Sequence, residues 1–87
     1  MGYWYDPVVT LLTDQPLETV ELTLSLTDLE LLVGGRLPLG AYGRNLWLTT
    51  GPGKIGESLA RAGWRTARFD RDVRAVTFAR LPPVDGP

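Results

Sequence analysis

Cysteine and histidine are both missing from this 87-residue chain. Those two zeros exclude disulfide staples, Cys/His zinc sites, thiolate nucleophiles, imidazole acid–base catalysis and a histidine pH switch. No apolar run approaches the roughly 18–20 residues of a membrane span. The opening Met1-Gly2-Tyr3-Trp4-Tyr5-Asp6 has neither a basic n-region nor an apolar h-region, and it lacks the Ser/Thr of a myristoylation site. The expectation is a cytoplasmic protein without membrane partner, metal or cofactor.

What is present favours a folded domain. Apolar residues make up 44 % of the chain and charged residues 22 %, with a formal net charge of −1, which is too apolar and too weakly charged for disorder. At this size folding hides roughly 60–65 % of the unfolded surface, enough for one core but not for two lobes around a deep cleft.

Basic residues are missing from the first 35 positions, and the near-zero net charge conceals this division. Up to Gly35 stand six acids and no base: Asp6, Asp14, Glu18, Glu21, Asp28 and Glu30. From Arg36 to Arg80 nine bases face three acids, Glu57, Asp70 and Asp72. Local potential rather than net charge steers association, so the asymmetry points to a charged partner. The alternative is that the halves neutralise each other across the fold.

Asp6-Pro7 reads as a helix start, with Asp at the N-cap and Pro at the first helical position; Val8, Leu11 and Leu12 share its buried face. Val20 to Leu26 alternates apolar and polar residues, a strand with one wet side. Thr27-Asp28-Leu29-Glu30 has the form of a capping box, with Leu26 and Leu31 placed for a hydrophobic staple. It predicts a helix from near Asp28 that buries Leu29, Leu32 and Val33 and stops at Gly34-Gly35. Leu37 to Gly43 reads as a turn or marginal helix and Leu46-Trp47-Leu48 as a short strand. Ile55, Leu59 and Ala60 mark a helix ending at Gly63. Trp64–Phe69 and Val73–Arg80 form a hairpin around Asp70-Arg71-Asp72. The expected class is therefore α+β, in the order α-β-α-(α)-β-α-β-β. It is one small winged-helix-like domain over residues 1–80, with a C-terminal hairpin and a flexible tail over 81–87.

Few motifs carry chemistry. Gly51-Pro52-Gly53-Lys54-Ile55-Gly56 matches G-x-G-x-x-G between a strand and a helix. However, Asp70 comes only 14 residues after Gly56, the helix is short, and no further β-α unit builds a crevice. A plain Gly-rich turn is the favoured reading. Asp70 and Asp72 at a hairpin tip lack a third metal ligand, and Ser25 and Ser58 have no base to activate them. Trp47 and Trp64 are expected in the core, and no catalysis is expected.

Helix 28–33, the turn at Gly34-Gly35-Arg36 and segment 38–45 have the spacing of a helix-turn-helix, with the basic hairpin as its wing. On that reading Arg44, Lys54, Arg65, Arg68, Arg71 and Arg74 contact the phosphates of DNA, or the domain contacts a DNA-associated protein. The alternative is a phage-type inhibitor or adaptor docking on a host protein. It would use the acidic Glu18, Glu21, Asp28 and Glu30 with a patch of Tyr3, Trp4 and Tyr5, although those three aromatics are better placed to cap the core edge.

Five segments in order resemble a family of small bacterial and phage domains. They are Tyr5-Asp6-Pro7 with a Leu-rich helix, Gly34-Gly35-Arg36-Leu37-Pro38, the Trp47 segment, Ala62-Gly63-Trp64-Arg65, and Val76-Thr77-Phe78-Ala79-Arg80. The resemblance covers Tyr5 to Arg80. Leu48-Thr49-Thr50 departs from the family's Trp pair and following Asn, and Gly40 stands where Ser is common. Members that stand beside nuclease-like domains imply a DNA-linked role, with no activity assigned.

Overall fold

A computed structural model describes residues 3–43, 46–47 and 54–82. It shows a small α+β domain. Helix α1 (Asp6–Thr13) is followed by strand β1 (Glu21–Ser25), helix α2 (Leu26–Val33), a 3-10 turn (Leu39–Tyr42), helix α3 (Ile55–Arg61) and strands β2 (Trp64–Asp70) and β3 (Ala75–Arg80). The three strands are antiparallel in the order β1-β3-β2. No helix among the described residues is long and apolar enough to cross a membrane.

Helix boundaries follow hydrogen-bond supply. Tyr5, not Asp6, is the N-cap residue of α1: its carbonyl already accepts from the N–H groups of Val8 and Val9. Asp6 turns its carboxylate back onto the N–H of Tyr3 at 2.9 Å, which puts Pro7 one position deeper than expected. The capping box of α2 lies two residues earlier than the sequence suggested. Ser25 Oγ accepts from the N–H of Asp28 at 3.0 Å, and Asp28 Oδ2 accepts from the N–H of Ser25 at 3.2 Å. Ser25 is also the last ladder residue of β1, paired with Ala75, so the strand passes into the helix with no loop. Leu26 consequently lies inside the helix and is buried, while Leu31 is 77 % exposed and staples nothing. Gly34 ends α2 at φ +83, and Gly63 turns the chain from α3 into β2 at φ +85. A side chain at either would meet no neighbour, so the backbone conformation alone selects glycine there.

Trp47 corrects the expectation of a strand at 46–48. Leu46 and Trp47 are helical, and Leu48 lies outside the described residues. The Trp47 ring is fully buried, its Nε1–H donates to the carbonyl of Ala41 at 2.7 Å, and it meets Trp4 and Phe78 edge-on at 5.7 and 5.9 Å. Burial of this large ring with its one polar atom satisfied fixes the segment on the core. Trp64 is likewise buried, as expected, beneath the Arg80 guanidinium 4.5 Å from its centroid. Its Nε1 and the Thr66 Oγ1 are buried without hydrogen-bond partners among the described residues.

The sheet sorts its side chains by period and register. Leu22, Leu24, Trp64, Thr66, Phe69, Val76 and Phe78 share the core side. On the other side β3 carries only Ala75, Thr77 and Ala79, none of which belongs to the core cluster. Thr77 Oγ1 lies 2.9 Å from Thr23 Oγ1 across the strands. Leu81 continues the hairpin, its N–H donating to the Gly63 carbonyl at 2.8 Å. Leu81 is thus tied down where a loose tail was expected; residues 83–87 lie outside the described residues.

Candidate nucleic-acid interface

An irregularity in β2 sets the positions of the first two arginines. A strand alternates faces, so Arg65 and Arg68, three apart, belong on opposite sides. The ladder instead pairs Thr66 with Phe78 and Arg68 with Thr77, leaving Ala67 as an extra residue. This β-bulge returns Arg68 to the face of Arg65. Both are exposed there, opposite Ala79 and Thr77 of the central strand.

The other two hairpin arginines occupy the turn, residues 71–74, which is longer than the sequence suggested because Val73 and Arg74 precede the strand. The Asp70 carboxylate organises this turn by accepting from the N–H groups of Asp72 and Val73 at 3.0 and 3.4 Å. Arg74 adopts φ +52, the only non-glycine with positive φ among the described residues. Its carbonyl accepts from the N–H of Leu26 at 2.9 Å, docking the turn on the start of α2. Arg71 and Arg74 line a cleft of about 420 Å³ together with Leu26, Tyr42 and Phe69.

Arg65, Arg68, Arg71 and Arg74 are exposed, and among the described residues none makes an ion pair or side-chain hydrogen bond. Arg80 behaves differently: its guanidinium donates to the carbonyls of Thr19 and Pro16 at 2.9 Å each. Arg61 pairs with Glu57 on its own helix at 2.9 Å. Lys54 is exposed just before α3, on a different element from the hairpin. Arg44 and Gly51 to Gly53 of the G-x-G-x-x-G stretch lie outside the described residues; Ile55 and Gly56 are helical. Segment 38–45, the second helix of the expected helix-turn-helix, shows a four-residue 3-10 turn in its described part.

Three of the six acids of the first half, Asp6, Asp28 and Glu30, are committed to structure. Asp28 serves the capping box, and Glu30 accepts from the Tyr42 hydroxyl at 2.6 Å. That bond raises the Tyr42 pKa, because ionisation would remove the donated proton and set two negative charges together. Glu18 and Glu21 are exposed. Of the aromatic triplet, Tyr5 is buried and Trp4 half-buried against the core, so Tyr3 presents most of what remains outside. Tyr3 stacks on Tyr5 at 5.0 Å. No group of three or more carboxylates among the described residues is placed to hold a metal.

Tyr42 and Phe69 are the cleft residues that sequence reasoning missed. Tyr42 stood in a weak Gly-flanked turn, and Phe69 read only as the end of a strand. An aromatic immediately before the hairpin turn was the one available signal.

No known family, curated protein or solved structure matches this chain. The resemblance spanning Tyr5 to Arg80 therefore brings no activity with it.

Proposed function

We propose that this domain is a cytoplasmic, non-catalytic module that binds nucleic acid through its hairpin, used in the manner of a winged helix's wing. One observation carries the reading: among the described residues the side chains of four exposed hairpin arginines make no ion pair or hydrogen bond, whereas those of Arg61 and Arg80 do. Guanidinium groups on a rigid hairpin suit phosphate oxygens, which they meet with paired N–H donors. Positions 65 and 68 supply contacts along one face, and 71 and 74 supply them at the tip.

Phosphate contact displaces counterions, so binding weakens as salt rises. The slope of log K against log salt is about −0.9 per neutralised phosphate for duplex and about −0.7 for single strands. Replacing Arg68 and Arg71 together by Ala is expected to flatten the slope by about one to two units, equally for all sequences, since phosphate contacts position without reading bases. Fluorescence anisotropy against salt measures it. Absence of any complex at low salt would overturn the proposal and leave the host-protein adaptor, docking through Glu18, Glu21 and Tyr3.

A further inference from the structure

We infer that the cleft at the hairpin tip receives one unpaired base of a single strand, with the adjoining phosphates on Arg71 and Arg74. This inference rests on the nucleic-acid reading and adds the form of the ligand.

Four features of the cleft support it. Its lining mixes two chemistries, apolar and aromatic residues in Leu26, Tyr42 and Phe69 and cationic residues in Arg71 and Arg74. About 420 Å³ falls in the range of roughly 300–1,000 Å³ typical of small-ligand pockets, large enough for a base and its sugar but not for a duplex. The cleft is also held in place before any ligand arrives. Tyr42 is anchored through its hydroxyl, which donates to Glu30 and accepts from the N–H of Leu37 at 3.2 Å. The arginine-bearing turn is anchored to Leu26 through the Arg74 carbonyl. Of the neighbouring acids, Glu30 is engaged by Tyr42 and Asp70 by turn N–H groups, while Asp72 in the turn is exposed. Arg36 adds a third positive charge near Tyr42.

Arg74 supplies the fourth feature. Its φ of +52 is a conformation that glycine or asparagine adopts at lower cost. A strained residue that keeps a long cationic side chain at the lining of a cleft is better explained by a ligand than by folding. In a duplex each base hides its faces against its neighbours. Only an unpaired base can offer a face to Tyr42, the sequence-tolerant stacking by which single strands are held.

The test compares a labelled oligothymidylate with a duplex of the same length, with thymidine monophosphate as competitor. The single strand is expected to bind about tenfold or more tightly than the duplex, the scale set by stacking one base. Tyr42→Leu should abolish that preference by weakening single-strand binding about tenfold more than duplex binding. Arg74→Gly, which the backbone accommodates, should retain or raise the melting temperature and weaken single-strand binding more than duplex binding. Equal binding of both forms, or a preference that survives Tyr42→Leu, overturns the inference while the nucleic-acid reading stands. A mononucleotide that competes as tightly as the strand also overturns it, by assigning the cleft to a free nucleotide. Failure of every oligonucleotide to bind overturns the wider reading instead.

Discussion

The acidic first half and the basic hairpin use their charges in opposite ways. Asp6 holds the N–H of Tyr3, Asp28 closes the capping box and Glu30 anchors Tyr42. These carboxylates are structural parts. Among the described residues the guanidinium groups of Arg65, Arg68, Arg71 and Arg74 have no comparable employment. Among the described residues no ion pair joins the two halves: Arg61–Glu57 lies within one helix of the basic half. A charge division in sequence thus has two physical origins, local bonding for three of the six acids and unspent surface potential for the hairpin arginines, with Asp14, Glu18 and Glu21 exposed.

The largest test of this contrast removes what both regions stand on. Phe78 is fully buried on the central strand, touching Trp47 and paired with both β1 and β2. Phe78→Ala is expected to lower stability by about 3–5 kcal/mol, measured by denaturant melts. An unchanged midpoint would mean that the hairpin folds independently of the first half, and the comparison would be between two separate units.

Next comes the contrast itself. Ser25→Ala should cost about 1 kcal/mol through loss of the α2 cap, whereas Arg65→Ala should change stability by less than about 0.5 kcal/mol. Equal costs in paired urea melts would show that Arg65 has a structural duty and would remove it from the interface.

The smallest effect is a pH dependence. The folded state raises the Tyr42 pKa through its bond to Glu30. The stabilisation is therefore complete below the ordinary tyrosine pKa of about 10 and is lost as pH climbs through the raised folded value. Alkaline melts should show a stability decrement in that window that disappears in Tyr42→Phe. A decrement unchanged by the substitution would place its origin elsewhere.

Much of the fold was legible because its signals are local. Pro7 near a helix start, the Gly34 stop and the hairpin strands about Asp70 each depend on chemistry within a few residues. The misplacements came from competition among similar signals. Ser25 and Thr27 are both acceptable caps, and which one serves depends on where β1 stops pairing with β3. Leu46-Trp47 has strand composition, yet a buried ring and a bond to Ala41 hold it in a helix.

The candidate site divides in the same way. Sequence alone determined that the basic charge gathers on a C-terminal hairpin, because composition and alternation are properties of the chain. Only the tertiary structure decided that Arg65 and Arg68 share a face, since that depends on an extra residue in the ladder at Ala67. It also decided that Tyr42, Phe69, Arg71 and Arg74 meet in one cleft. They come from a 3-10 turn and a hairpin nearly thirty residues apart in the chain, joined only because both dock on α2. Periodicity acts over neighbours in sequence, whereas docking depends on which surfaces the core leaves available.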